Sequence, residues 1–209
     1  MSGECSFHCL EGPSERIEAK IEFADSNQPL KVLGNKSHFQ LYDGPVRMHV
    51  WKRAKGDVLT WGIVRIVLIS DRLRRALESI QATGYELLPA NVKLVFPHDP
   101  EEAIYWQLLA TGWGGCASEE SGITQLDENE YGPHHYSISA DAATVIQPSQ
   151  YDGSDFFRFW PLPGSLVVTD RIRRLFESKR VKHCSFVTLD EECRRMATLP
   201  IEIAASGGA

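Results

Sequence analysis

The chain has 209 residues, of which 43% are hydrophobic, and its formal net charge is −6. This length allows one large domain or two modest ones, and the hydrophobic content is enough for a core, which argues against a largely disordered chain. The negative charge argues against nucleic-acid binding through bulk electrostatics, because counterion release requires clustered lysine and arginine.

The sequence carries no pattern typical of a membrane span or of a secretory signal. Its longest apolar stretch, residues 63–69, contains Arg65 and is much shorter than the roughly 20 residues that cross a bilayer as a helix. Residues 1–10 have no basic segment followed by an apolar one. The five cysteines are an odd number spread along the chain, as expected for reduced thiols. We therefore expect a cytoplasmic protein without a membrane anchor.

The first predicted elements in chain order are two strands. Apolar and polar residues alternate between Ile17 and Phe23, which predicts a half-buried strand, and residues 46–51 predict another. Proline and glycine break the chain around them, for example at Pro29 and Gly34.

The clearest pattern lies at residues 66–88. The β-branched run Ile66–Ile69 predicts a buried strand, and Ser70 is expected to cap a helix that begins with Asp71. Apolar residues then recur at helical spacing, at Leu73, Ala76, Leu77 and Ile80. We expect the arginines of this helix to point outward, and a strand to return at residues 85–88.

Two weaker patterns follow. Residues 101–109 have Ile104, Tyr105, Leu108 and Leu109 at helical spacing, which predicts a helix. Residues 112–131 are rich in glycine and acidic residues, which predicts an exposed loop. The last residues, 204–209, are expected to fray.

The strand-helix-strand pattern of residues 66–88 occurs a second time, 99 positions later. Residues 166–178 form the second copy, with Thr169 as the expected cap and a returning strand at residues 184–187. Six positions are identical between the copies: Asp71/Asp170, Arg72/Arg171, Arg74/Arg173, Arg75/Arg174, Glu78/Glu177 and Ser79/Ser178. Because chance is a poor explanation, we predict an internal duplication and an α/β (α+β) fold of two related halves, residues 1–98 and 99–209, whose sheets can join into one continuous domain.

Residues 151–158 and 163–173 resemble the carboxy-terminal signature of immunity proteins from bacterial polymorphic toxin systems, among them the double-CXXCG proteins. The distinctive part is the run from Gly153 to Phe157, and the likeness covers about residues 61–190. The resemblance implies a non-enzymatic protein that binds and neutralises a cognate toxin. Paired Cys-x-x-Cys motifs are absent, since three residues separate Cys5 from Cys9. No structural zinc or other cofactor is therefore expected.

Several residues suit metal binding or catalysis but have a simpler interpretation. Cys5, His8 and Cys9 could share a zinc ion with Cys116 or a histidine, although irregular spacing favours a flexible terminus. Cys116 with His134 and His135 suits a thiol nucleophile and its base, against a stray loop cysteine. Phosphate-loop, dinucleotide, paired-histidine and nucleophile-elbow motifs are absent from the sequence. We therefore predict no catalytic residues.

Three more groups have a structural interpretation. Cys184 and Cys193 are expected to be small buried residues on or near the last strand. Asp152 and Asp155 form a candidate carboxylate pair, but the intervening Gly153-Ser154 favours a turn. The tryptophans expected in the core are Trp51, Trp61 and Trp106.

The acidic segment, defined as residues 113–131, is the predicted toxin contact because carboxylates steer onto basic clefts and aromatic residues then supply affinity. Its candidate residues are Trp113, Glu119, Glu120, Asp127, Glu128, Glu130 and Tyr131. The alternative is a phosphate- or nucleic-acid-binding module that uses the two arginine clusters, Arg72/Arg74/Arg75 and Arg171/Arg173/Arg174. A solvated charged helix face explains the same arginines, so nucleic acid is not the partner we expect.

Overall fold

The fold is that of a computed structural model, which describes most of the chain. The described residues are 6–11, 18–23, 31–32, 40–41, 46–51, 56–61, 66–95, 101–117, 119–125, 136–138 and 143–197. The predicted fraying of residues 204–209 lies outside them.

The described residues form a mixed α/β fold made mostly of strands. The strands are β1 (Phe7–Glu11), β2 (Glu18–Phe23), β3 (Lys31–Val32), β4 (Gln40–Leu41), β5 (Val46–Trp51), β6 (Val58–Trp61), β7 (Ile66–Ser70), β8 (Tyr85–Val95), β9 (Glu101–Ala110), β10 (Gly112–Cys116), β11 (Ile123–Gln125), β12 (Tyr136–Ile138), β13 (Phe156–Trp160), β14 (Leu162–Thr169) and β15 (Ser185–Thr188). The helices are α1 (Asp71–Ser79), α2 (Asp170–Ser178) and α3 (Leu189–Ala197), with a short 3₁₀ turn at Glu119–Ser121. No helix among these residues is both long and apolar enough to cross a membrane.

The larger sheet has six strands in the order β2, β5, β8, β9, β7, β6. Neighbours are antiparallel except for β5 and β8, which run parallel. The strands predicted near residues 17–23 and 46–51 are confirmed as β2 and β5. Two further sheets have two strands each, β3 with β4 and β11 with β12, and are separate from this sheet.

The smaller sheet has the order β10, β13, β14, β1, β15. Its strand β1 lies between β14 and β15 and is antiparallel to both, so it completes a sheet whose other strands come from residues 112–188. Strand β9 holds the same place between β7 and β8 in the larger sheet. The sheets therefore take strands from both sides of residue 98, and the division into residues 1–98 and 99–209 stays a prediction.

The two predicted helices are confirmed, and they join the sheets through one core. Leu73 and Leu77 of α1, and Ile172 and Phe176 of α2, are almost fully buried in a cluster that also takes residues from both sheets. Burial of each such side chain contributes about 1.5–3 kcal/mol. Helix α3, which the sequence did not predict, packs with Leu189 and Cys193 on the opposite side of the smaller sheet.

The predicted helix at residues 101–109 is wrong, because this segment is strand β9. Its backbone is paired on both sides, with β7 and with β8, so the sheet supplies its hydrogen bonds. Tyr105, Leu108 and Leu109 are buried, whereas Ile104 is 70% exposed, which a single helical stripe does not explain.

The predicted loop at residues 112–131 is wrong over its first five residues, which form β10 in parallel with β13, and over residues 123–125, which form β11. Glycine allows this close pairing, because a Cβ atom on Gly112 would lie 2.3 Å from the carbonyl oxygen of Phe156. The flexible terminus is also wrong where it is described, since His8 and Cys9 lie in β1 and Cys9 is buried.

Candidate functional site

Asp57, the residue just before β6, has a buried side-chain carboxylate. It accepts hydrogen bonds from Ser70 Oγ at 2.9 Å, Arg72 Nε at 3.0 Å and the backbone N–H of Lys182 at 3.0 Å. Burial of Asp57 raises its pKa, but these hydrogen bonds outweigh that effect, and the pKa lies below its usual value. Arg72 also donates to the carbonyl of Lys179, at the end of α2.

Asp155 makes the matching set of contacts at the other helix. It accepts hydrogen bonds from Thr169 Oγ1 at 3.0 Å, Arg171 at 2.9 Å and the backbone N–H of Thr83 at 3.1 Å. Arg171 donates to the carbonyl of Ile80, at the end of α1. The first arginine of each helix therefore binds the end of the other helix.

The predicted caps differ between the two copies. Ser70 Oγ accepts the backbone N–H of Leu73 at 3.3 Å, as an N-cap does. Thr169 stands at the N-cap position without a side-chain cap bond, although its hydroxyl donates to Asp155 as the hydroxyl of Ser70 donates to Asp57. The common origin of the two copies stays a prediction.

The remaining helix arginines are paired with carboxylates of their own helix. Arg74 binds Asp71 and Glu78, and Arg173 binds Asp170 and Glu177 in the same arrangement. Arg75 and Arg174 pair with the first aspartate of their helices and are the most exposed, at 73% and 74%, as predicted for outward arginines. Arg72 and Arg171 instead bridge the helices. These pairings reduce the positive charge that a phosphate would require.

A pocket of about 450 Å³ opens between α2, β1 and β15. Its apolar lining includes Phe176 and Phe186, whose rings meet edge to face at 5.6 Å. Its charged lining includes Arg173, Glu177 and Glu191. A second cavity, of about 520 Å³, lies beside Arg72 and Lys179.

His8 and Cys184 are groups of this pocket whose pKa is shifted chiefly by burial. Burial lowers the pKa of His8, and the charge of Arg173 lowers it further, against the raising effect of Asp170, which lies 3.6 Å away. Burial raises the pKa of Cys184 to about 11. At neutral pH the imidazole is therefore largely uncharged and the thiol is protonated, so Cys184 is a poor nucleophile.

Trp106 lies beside α1 as His8 lies beside α2. Its ring packs against the core, its Nε1 donates to Asp71 at 3.3 Å, and the guanidinium of Arg74 lies 4.9 Å from the ring centroid. The prediction of a core tryptophan is confirmed here, with the ring partly exposed. The side chains of Trp51 and Trp61 lie outside the described residues.

A comparison with protein families identifies the chain. The sequence model of the Immunity protein family (Imm11) matches residues 3–189. The chain belongs to the Imm11 immunity protein family. The resemblance to immunity proteins is thereby confirmed and extended to β1, while the relation to the double-CXXCG proteins stays a prediction. No curated protein matches the chain.

The acidic segment of this Imm11 protein is described only in part. Trp113 lies in β10, half-buried, and its backbone N–H donates to Asp152 at 2.7 Å. Glu119 begins the 3₁₀ turn, and Glu120 within it is exposed. The other candidates, Asp127, Glu128, Glu130 and Tyr131, lie outside the described residues.

The two candidate carboxylates of the predicted turn have separate roles in the Imm11 fold. Asp152 accepts the backbone N–H of Ser154 at 2.9 Å across Gly153, whose φ is +82°, so the turn is confirmed. Asp155 is buried and holds α2 to the end of α1. The sequence did not predict this role.

The candidate metal and thiol sites of the Imm11 chain are also only partly described. Cys5, His134 and His135 lie outside the described residues, and within the described part no three histidine, cysteine or acidic side chains lie close enough to hold a metal ion. The backbone N–H of Cys116 donates to Gln150 at 3.0 Å. Cys193 is buried as predicted but lies in α3, and Cys184 is partly buried just before β15.

Proposed function

We propose that this protein neutralises a bacterial toxin in the cytoplasm by stoichiometric binding and without turnover of a substrate. The observation that carries the proposal is the match of the Imm11 family model to residues 3–189. An immunity protein has a toxin as its partner, and a preformed surface is sufficient to block that toxin.

The chemistry of the described residues agrees with binding rather than catalysis. Burial raises the pKa values of Cys184 and Cys193 to about 11, so both thiols are protonated at neutral pH. Asp57 and Asp155 are engaged in holding the helices together. These groups contribute to the fold and are poorly suited to nucleophilic or acid-base chemistry.

We propose the acidic segment as the first candidate for the surface that contacts the toxin. Carboxylates at Glu119, Glu120, Asp127 and Glu128 would steer the protein onto a basic toxin cleft, and Trp113 and Tyr131 would add aromatic contacts. Reversal of the four acids to lysine should slow association by about tenfold or more at low salt. The free energy of unfolding should change by less than about 1 kcal/mol, because exposed charges contribute little to stability.

A matched control is available on the larger sheet. Glu86 is exposed on β8, and Glu86→Lys changes surface charge away from the acidic segment. The control should leave the association rate within about twofold of the wild-type value. A control that slows association as much per reversed charge as the fourfold reversal does would show that net charge, and not this surface, governs association.

The proposal is tested by co-expression with the product of the neighbouring gene. We expect growth to be rescued, and the two proteins to elute from a sizing column as a complex of fixed stoichiometry. Continued toxicity with no complex would refute the immunity function. Rescue by substoichiometric amounts that leave the toxin chemically altered would instead establish an enzyme.

A further inference from the structure

His8 and Trp106 occupy matching positions in the two sheets. His8 of β1 lies opposite Val168 of β14, and Trp106 of β9 lies opposite Ile69 of β7. Val168 and Ile69 are 99 positions apart, the spacing of the two copies. The register of the sheets therefore places a histidine beside α2 where a tryptophan stands beside α1.

The surroundings of Trp106 show what this position accepts. Arg74 Nε binds Asp71 at 2.8 Å and Arg74 Nη1 binds Glu78 at 2.6 Å, which fixes the guanidinium over the indole. Asp71 also accepts the indole N–H. The ring thus meets a cation on its face and a carboxylate at its N–H, while its apolar part packs on the core.

Helix α2 presents the same groups, but the tryptophan is missing. Arg173 Nε binds Asp170 at 2.8 Å and Arg173 Nη1 binds Glu177 at 2.5 Å, as in α1. The side chains of Arg173 and Arg74 are similarly exposed, at 27% and 23%. Imidazole is smaller than indole, and Cys184 stands 99 positions after Tyr85, so smaller side chains line this place, where the pocket of about 450 Å³ lies.

We propose that this pocket binds an aromatic side chain of the partner protein, an indole or a phenol, in the place that Trp106 takes beside α1. The inference rests on the proposed function insofar as the partner is a toxin. The pocket volume lies within the range of about 300–1,000 Å³ found for ligand sites. Phe176 and Phe186 supply an apolar wall for the ring.

Electrostatic complementarity selects an aromatic occupant over a charged one. Two cations and two anions line the pocket, namely Arg173, Arg180, Glu177 and Glu191, so no charge of one sign dominates. A neutral ring can place its electron-rich face against Arg173 and direct its N–H or O–H to a carboxylate. Aromatic side chains in such pockets commonly supply most of the affinity of an interface.

The pocket can be tested without knowing the toxin, with N-acetyltryptophanamide as the probe and heteronuclear NMR as the readout. Wild-type protein should bind the probe at millimolar concentration, with shift changes at Phe176 and Phe186. His8→Trp should fill the pocket and abolish these changes while the melting temperature is kept or raised. Absence of binding to the wild type, or unchanged binding to His8→Trp, would overturn the proposal.

Three further variants control for misfolding. Arg173→Met should weaken probe binding several-fold, whereas Arg174→Met, at a residue outside the pocket lining, should leave it unchanged. Equal weakening by both variants would overturn the role of Arg173. Trp106→His should open a new pocket beside Arg74, apart from the cavity beside Arg72, and create a new probe site there. Failure of a folded Trp106→His variant to bind the probe at α1 would remove the argument from matching positions.

Complex formation with the toxin separates this inference from the proposed function. If wild-type protein forms the complex, His8→Trp should weaken it by at least about tenfold, the loss expected for an aromatic contact. An unchanged complex would refute the pocket as a contact while the immunity function stands. If wild-type protein forms no complex, the immunity function fails, and probe binding alone decides whether the pocket accepts aromatic groups.

Discussion

The guanidinium of Arg171 lies 2.9 Å from the carboxylate of Asp155 and also donates to the carbonyl of Ile80 at the end of α1. The matching pair, Arg72 and Asp57, reaches the end of α2 in the same way. Arg72 and Arg171 thus each connect their own helix to the end of the other helix. We therefore expect a change at either aspartate to affect the packing of both helices.

Replacement of Asp155 should therefore destabilise the protein. Asp155→Ala leaves the N–H of Thr83 and the guanidinium of Arg171 without their carboxylate, and we expect a loss of about 2–3 kcal/mol of unfolding free energy. Urea denaturation measures the loss. Glu78→Ala removes an exposed ion pair of α1 and should cost less than about 0.5 kcal/mol. Similar values for both variants would contradict the structural role of Asp155.

The pKa of Asp57 leads to a prediction for acid stability. Because its folded-state pKa lies below the unfolded value of about 3.9, the ionised carboxylate stabilises the fold above that pH. This contribution is lost as the pH falls through the folded-state pKa. Asp57→Asn should thus be less stable than wild type at pH 7 by about 1–3 kcal/mol, and the difference should shrink below about pH 4.

Urea midpoints measured between about pH 2.5 and 7 check this dependence. Tyr105→Phe is the control, because it removes the hydrogen bond from the Tyr105 hydroxyl to the carbonyl of Gly56 without removing a carboxylate. Its stability difference from wild type should stay nearly constant over the acidic range. A constant difference for Asp57→Asn as well would show that the charge of Asp57 does not stabilise the fold.

Two glycines with positive φ provide a matched pair for backbone strain. Gly84 has φ +78°, and a Cβ atom there would lie 2.2 Å from the carbonyl oxygen of Phe156, whereas Gly153 has φ +82° and open space. Gly153→Ala should cost about 1 kcal/mol from conformation alone. Gly84→Ala should cost about 3 kcal/mol or more, because it adds a backbone overlap. Thermal unfolding of both variants measures these losses, and equal losses would contradict the close approach of Gly84 to the carbonyl of Phe156.

The arginine pairings predict weak binding to nucleic acid. Each arginine of the two clusters is bonded to a carboxylate of the same chain, so few phosphate counterions would be released on contact. Titration with a fluorescent oligonucleotide should show no specific binding at physiological salt. Tight binding that weakens steeply with salt would restore the nucleic-acid alternative.

The strand-helix-strand units could be predicted because their signals are local. The β-branched runs, the polar residue before each helix and the helical apolar spacing all lie within the segments they define, and α1 and α2 begin at Asp71 and Asp170 as expected. Strand β9 was mistaken for a helix for the opposite reason. Tyr105, Leu108 and Leu109 are buried on both faces of the strand, and together with the exposed Ile104 they imitate a helical spacing.

The candidate pocket depends on relationships that no local pattern contains. The correspondence between His8 and Trp106 arises only when β1 pairs with β14. These two strands are far apart in the sequence. The partners of Arg72 and Arg171 had a faint signal, since an aspartate precedes the strand before each copy, with Asp57 before β6 and Asp155 before β13. Glycine-rich β10 was mistaken for a loop because its pairing depends on the close approach of Phe157 to Gly114.

The position of β1 between β14 and β15 also bears on when the protein becomes active during synthesis. Strand β1 is translated before β14 and β15, and it has no neighbours in its sheet until residues 162–188 have left the ribosome. Closing so long a loop is slow, and folding of this sheet should follow completion of most of the chain. Protection of a cell would therefore require chains in which residues 162–188 have been synthesised, and a chain interrupted before them would leave β1 unpaired, with free edges that can pair with a strand of another molecule.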